Sequence, residues 1–225
     1  MITEVTNKIV SLVRESVDQY DGPFIAEPSD AFLNASPKIL YVGQEAFGWS
    51  PLSSFKGKES LVNLRNHYNN FDYGVDYSRS PFWNFHRKII KRFNLCYQSV
   101  LWTNLSKFSM SKTKHSASIL RSPYVQEIIS YQQGLLTQEV IENNINIILF
   151  ITGPNYDWII QQEFPDAKFI KTSNNFPCRQ LAQVVLPEHS NIVALRTYHP
   201  KYLRLKNLED TIISEIYKSV QSLIG

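Results

Sequence analysis

The chain has 225 residues, of which 43% are hydrophobic and 19% charged, and its formal net charge is +3. That length suffices for one well-buried core, and the composition excludes a disordered chain. With only Cys96 and Cys178, a disulfide framework and a four-cysteine iron–sulfur or zinc site are excluded, while the mild positive charge permits a polyanionic partner without demanding one.

Ile2, Val5, Ile9, Leu12, Val13 and Val17 recur at helical spacing, so residues 2–19 are predicted to form an amphipathic helix that Asp21-Gly22-Pro23 ends. The opening residues include acids and no continuous apolar run, and no 18-residue apolar span follows. Neither a signal peptide nor a membrane span is therefore expected, and with few thiols a reducing, cytoplasmic setting is. A first strand is predicted over 38–43. A long, aromatic, glycine-poor stretch, 47–80, follows it and holds a short helix near 58–68. Ser80-Pro81 reads as an N-cap followed by proline at the first helical position, opening a helix over 81–93. The second strand is 98–103, and Ser122-Pro123 opens a helix over 122–143. "INIILFIT", 145–152, is a continuous apolar run, as expected of a strand buried on both faces. Gly153-Pro154-Asn155 turns into a helix near 155–163. Two more strands, 167–172 and 191–198, and a C-terminal helix over 207–223 complete the chain. Alternation of strands and helices predicts an α/β protein: a three-layer α/β/α domain spanning 1–225, with a central, mostly parallel, four- to five-stranded sheet.

In such sheets ligands bind beyond the carboxyl ends of the strands. The first strand ends in Gly43-Gln44-Glu45, the second in Thr103-Asn104, the third in Thr152-Gly153-Pro154-Asn155, and the last in Thr197-Tyr198-His199-Pro200. Any one such residue is more often a cap or turn residue than a ligand. Strand tips that together offer an amide, an acid, an amide and an imidazole predict one shared pocket of Gln44, Glu45, Asn104 and His199. Asn104 offers a donor and an acceptor, which suits reading the edge of a base or another amide-like ring. Glu45 suits orienting a water or stabilising a cation. His199 suits donation to a developing oxyanion, or acid–base work, with Pro200 holding it on a tight turn. His67, His86, His115 and His189 are too scattered for a metal site, and no metal is expected.

The blocks "ILYVGQEAFG", "VLWTNLSKF", "IILFITG" and "LRTYHPKYL", in this order, resemble the uracil-DNA glycosylase superfamily over roughly residues 37–205. "SPFWNFHRKI" is similar to a Phe-Trp helix that several branches carry before the second strand. The resemblance implies Gly43, Gln44 and Glu45 as the first motif, Asn104 as the base reader, and His199-Pro200 as the last motif. The chain departs from the best-known branch in four ways. Glu45 stands for an aspartate, Ala46 for a proline, Phe47 for the tyrosine that excludes thymine, and Lys201 for a serine that holds a DNA phosphate.

The implied activity is base excision in DNA repair: a damaged base is flipped from DNA and its N-glycosidic bond hydrolysed. Glu45 and His199 would be catalytic. Gln44, Asn104 and the stacking candidates Phe47 and Phe55 would bind the base. Lys201 and Arg204, with Lys206, and Lys107 on the basic segment 106–116 would face DNA, the last with Lys112, Lys114 and His115. A monomer acting on single- or double-stranded DNA is expected, with no cofactor and no membrane contact. The rivals are a catalytically silent relative that binds DNA or a modified nucleotide, and an unrelated α/β hydrolase or nucleotide-binding protein. The last is weakened because GxGxxG, GxSxG and GxxxxGK[ST] are all absent.

Overall fold

The computed structural model describes residues 1–111, 118–173 and 175–224. In chain order its regular elements are α1 Ile2–Leu12, β1 Tyr20–Asp21, α2 Asp30–Leu33, β2 Ile39–Glu45, α3 Lys58–Phe71, α4 Pro81–Arg92, β3 Val100–Ser106, β4 Ser109–Met110, α5 Val125–Tyr131, α6 Leu135–Glu142, β5 Ile147–Phe150, α7 Asp157–Glu163, β6 Lys168–Lys171, β7 Leu181–Val185, β8 Val193–Thr197, α8 Pro200–Leu205 and α9 Glu209–Ile224. No helix among the described residues is long and apolar enough to cross a membrane.

Six strands form one sheet in the order β3-β2-β5-β8-β7-β6. The pairs β2–β3, β2–β5 and β5–β8 are parallel, whereas β7 runs antiparallel to both neighbours. The sheet is thus mixed and mostly parallel, and it has six strands rather than the four or five expected. The extra one is β7, "LAQVV". A strand antiparallel to its neighbours needs no crossover helix, so the alternation used to find the others does not reveal it.

β2 and β5 are central, and Ile39–Val42 and Ile147–Phe150 are buried throughout. This is what a strand covered on both faces requires. Tyr41 meets Phe82 and His86 of α4 on one face. On the other, Thr103 meets Glu139 of α6, Phe150 meets Phe164 after α7, and Arg196 meets Asp157 of α7. Helices therefore flank both faces. A smaller cluster of Val5, Ile9, Val13, Tyr20, Phe108, Met110, Ile119 and Ile128 seats α1 over the β1–β4 ribbon and α5.

Two predicted helices are shorter than expected. The one over 2–19 ends at Leu12 and continues as a 3-10 turn, Arg14–Gln19. The one over 122–143 breaks at Gly134, whose φ of 88° is left-handed. Glu163 then accepts from the Gly134 and Thr137 amides at 2.9 and 2.6 Å, so a carboxylate from α7 caps α6.

Lys107, expected to face DNA, lies inside with its side chain 2% exposed. Its Nζ donates to Thr103 Oγ1 at 2.6 Å and Glu139 Oε2 at 2.7 Å, and its backbone amide donates to Gln132 Oε1 at 2.7 Å. A buried ammonium must be paired, and this one clasps the chain after β3 to α6 instead of reaching for phosphate. Lys112, Lys114 and His115 lie outside the described residues. Lys107→Met strands Glu139 and should cost about 3 kcal/mol in urea unfolding. Lys8→Met, which breaks an exposed pair with Glu4, should leave the unfolding midpoint unchanged.

Candidate functional site

The chain leaves β2 for β3 on one side of the sheet, whereas β5 has β8 on its other side, so the order reverses between β2 and β5. At such a switch point α/β sheets bind ligands beyond the carboxyl ends of the strands. Two predicted residues tie the elements here together. Gln44 Nε2 donates to the Thr152 carbonyl at 2.7 Å. Glu45 accepts from the Tyr156 hydroxyl through one oxygen and from the Ile119 amide through the other. Ser118 Oγ lies 3.2 Å from the Tyr156 hydroxyl and completes the cluster.

Burial raises the Glu45 pKa above its ordinary value, and the hydrogen bonds from Tyr156, Ile119 and Ser118 oppose that rise. Burial first, and then the Glu45 charge, also raise the Tyr156 phenol. The carboxyl group therefore ties the β2 tip to the turn before α7 and to residues 118–119. Its two oxygens are already engaged by protein donors, an arrangement suited to holding the rim together.

Asn104 and His199 are placed differently. Asn104 pairs in register with Gly43 and is 3% exposed. A methyl group at position 43 would overlap Asn104 Oδ1 and lie 3.2 Å from Phe82 Cζ, so glycine there makes room for the amide and the ring together. Asn104 Nδ2 is buried and has no hydrogen-bond partner among the described residues. Leaving such a donor unpaired costs about 1–3 kcal/mol, so a ligand acceptor brought to it would be favoured; Thr152 Oγ1, just beyond β5, is likewise without a partner among the described residues.

His199 follows β8 and is half-buried. Its Nδ1 accepts from the Lys201 amide at 3.2 Å, which leaves the proton on Nε2 as a donor. Burial, and then the Lys201 charge, bring its pKa down to about 4 from 6.5. The imidazole is therefore neutral near pH 7. Its ring lies 5.9 Å from the Phe82 ring at an interplanar angle of 24°. Phe82 also packs edge-on against Tyr41 at 4.9 Å, and Tyr41 donates its hydroxyl to the Phe82 carbonyl at 3.2 Å.

The structure therefore links these residues in a chain of contacts, with Asn104 and Phe82 meeting at Gly43 and His199 lying against Phe82. Phe82 was not among the expected stacking residues. Its signal was the Ser80 cap, whose Oγ accepts from Trp83 N and sets the register of α4 so that Phe82 faces the sheet. Phe47 is 58% exposed beside Glu45. Phe55 packs on the core and lines a hollow bounded by Trp49 and His67. Lys201 is exposed beside His199, whereas Arg204 donates to Glu209 at 3.3 Å and is partly committed to that pair.

Along this chain of contacts lie one neutral imidazole donor, one carboxamide N–H without a partner among the described residues, and one aromatic ring. That set can hold a planar, amide-like heterocycle and stabilise negative charge developing on its oxygen. Among the described residues, no group of three or more histidine, cysteine, aspartate or glutamate side chains is arranged to hold a metal ion. No protein-family model matches the chain, and no curated protein matches it.

Gly43→Ala should destabilise by about 1–3 kcal/mol through overpacking. In an Asn104→Ala background the same change should cost much less, because the overlapping amide is gone; a double-mutant cycle in urea reads this coupling. Glu45 gives a pH prediction. Its folded pKa is raised, so its contribution is fully present below about pH 4.5 and is lost as pH rises through the folded value. The stability of the parent chain relative to Glu45→Gln should therefore fall between pH 4.5 and neutrality. A constant difference over that range, measured by urea unfolding at several pH values, would refute it.

Proposed function

We propose that the chain is a divergent member of the uracil-DNA glycosylase superfamily that takes an extruded uracil, or a related deaminated base, and hydrolyses its N-glycosidic bond. One observation carries this reading: Asn104, whose Nδ2 is buried and without a partner among the described residues, sits with Phe82 against Gly43, and His199 lies against the same ring. Gly43, Asn104 and His199 are the strand-tip positions that the ordered motifs put in the base site. The mostly parallel sheet and its switch point are compatible with that fold.

In this mechanism the Asn104 amide reads the base edge, since its donor and acceptor complement the carbonyl and N–H of a uracil-like ring. Phe82 supplies an aromatic face, a part first given to Phe47 or Phe55. Negative charge builds on the base oxygen as the bond from sugar to base nitrogen stretches, and the His199 Nε2–H donates to it without a change in protonation; water adds to the sugar carbon, and its proton passes by way of solvent to the departed base. The lowered pKa keeps that donor neutral, so it stabilises the leaving base by hydrogen bonding. Lys201 supplies a point charge for a flanking phosphate. Flipping costs a few kcal/mol, which these contacts offset.

Glu45 has a changed part. Engaged by Tyr156 and Ile119, it positions the β2 tip, and a water nucleophile would need another group to orient it. This favours the second reading, a relative that binds an extruded base without cleaving it.

Incubation with a uracil-containing single strand and with U·G and U·A duplexes, followed by detection of abasic sites, separates the two. The excision reading expects abasic sites on at least one substrate. It further expects losses of about 10²-fold or more in kcat for His199→Ala, in the range seen when an oxyanion donor is removed. Asn104→Ala should lower kcat/KM strongly. Binding without abasic sites on any substrate selects the second reading, and full activity in both variants overturns the site.

A further inference from the structure

The segment 49–67 walls a hollow of about 400 Å³, a size typical of small-molecule sites. Trp49, 8% exposed, forms its inner wall, with Phe55 and Leu64 beside it. His67 stands edge-on to Trp49 at 4.4 Å. Glu59, Asn63 and His67 recur every four residues and so share one face of α3. Gly57, with φ of 72°, turns the chain into α3, and the Lys56 amide donates to Ser60 Oγ at 2.7 Å, holding Lys56 at the lip. The side chains of Lys56, Glu59, Asn63 and His67 make no hydrogen bond or ion pair among the described residues.

This lining is chemically selective. A bare anion would meet the Glu59 carboxylate, and one carboxylate is too few for a divalent cation. A lipid would find too many polar walls. The hollow suits a ligand with a planar face, an anionic end and hydrogen-bond donors. We propose that it is a nucleotide subsite, taking one nucleotide unit of the strand whose extruded base lies against Asn104. Aromatic and imidazole faces stack the base, Lys56 holds a phosphate, and Glu59 with Asn63 reads donors on the base edge. The link to that strand rests on the base-excision reading. It is supported by proximity: Trp49 follows Glu45 by four residues, a reach of at most about 14 Å. Trp49 also packs on Trp102 at 5.6 Å, and Trp102 on Phe82 at 6.3 Å, so one aromatic layer joins hollow and base site.

The test uses the full chain and 2′-deoxyguanosine 5′-monophosphate, whose base offers donors to a carboxylate, with inorganic phosphate as the control. Calorimetry gives the affinity, and NMR follows the His67 and His199 rings. The nucleotide should shift the His67 resonances. Lys56→Ala, Glu59→Ala and His67→Ala, all at exposed positions, should each weaken it by about tenfold, the worth of one charge-assisted or stacking contact. Unchanged affinity in all three variants, or phosphate binding as tightly as the nucleotide, overturns the subsite. Failure of the base-excision reading is seen separately, as missing abasic sites with nucleotide binding at His67 intact. That outcome together with no binding of a uracil-containing strand would overturn the link to the same strand. Where abasic sites form, Lys56→Ala should raise KM for a uracil-containing single strand and leave kcat within about twofold. It should also lower the salt slope of binding by about 0.7.

Discussion

The close approach of Asn104 to Gly43 is the contact on which the rest of the site depends. Two parallel strands pair in register at this point, and the amide of one occupies the space a side chain would need on the other. Phe82 fills what remains of that space, and His199 lies against Phe82 in turn. A glycine at the end of a buried strand therefore has a steric reason that is not conformational. Its φ is ordinary, and what matters is the missing Cβ. Remove that allowance and the amide and the ring cannot share one corner.

Around this corner the polar groups divide into two kinds. Gln44, Glu45, Tyr156 and Ser118 satisfy one another or nearby backbone, and they tie together the chain beyond β2 and β5. Asn104 Nδ2 lacks a partner among the described residues, and His199 Nε2 holds a proton because Nδ1 is spent on capping α8. Engaged groups buy rigidity, and groups with spare valence meet a ligand. This division is why Glu45, the most chemical-looking residue of its motif, is read as a positioning residue, while the proposal gives recognition to the less conspicuous Asn104.

The aromatic stretch 47–80 has two roles that its composition could not separate. Trp49, Tyr68, Phe71 and Tyr73 join Phe24, Trp83 and Trp102 in a layer between the sheet and α3–α4. These rings are core. His86 lies within this layer, stacked on Tyr73 at 5.6 Å, and burial brings its pKa to about 3, so it stays neutral. Glu59, Ser60, Asn63 and His67 of α3 line the hollow instead.

The sequence by itself determined the strands β2, β3, β5, β6 and β8, the helices α3, α4, α7 and α9, and the set of strand tips that carry polar groups. It could do so because apolar runs, helical spacing and caps are local signals, set by burial and by unsatisfied backbone groups within a few residues. It did not reveal β7, the break at Gly134 or the capping of α6 by Glu163, since each depends on a partner far along the chain. Only the tertiary structure decided that Lys107 is buried while Lys201 is exposed, though both follow strand tips. It also decided that Phe82 rather than Phe47 or Phe55 faces His199, and that Glu45 is engaged while Asn104 is not. A residue's type states which bonds it can make. Whether those bonds are already made inside the protein depends on neighbours that only the packed fold supplies.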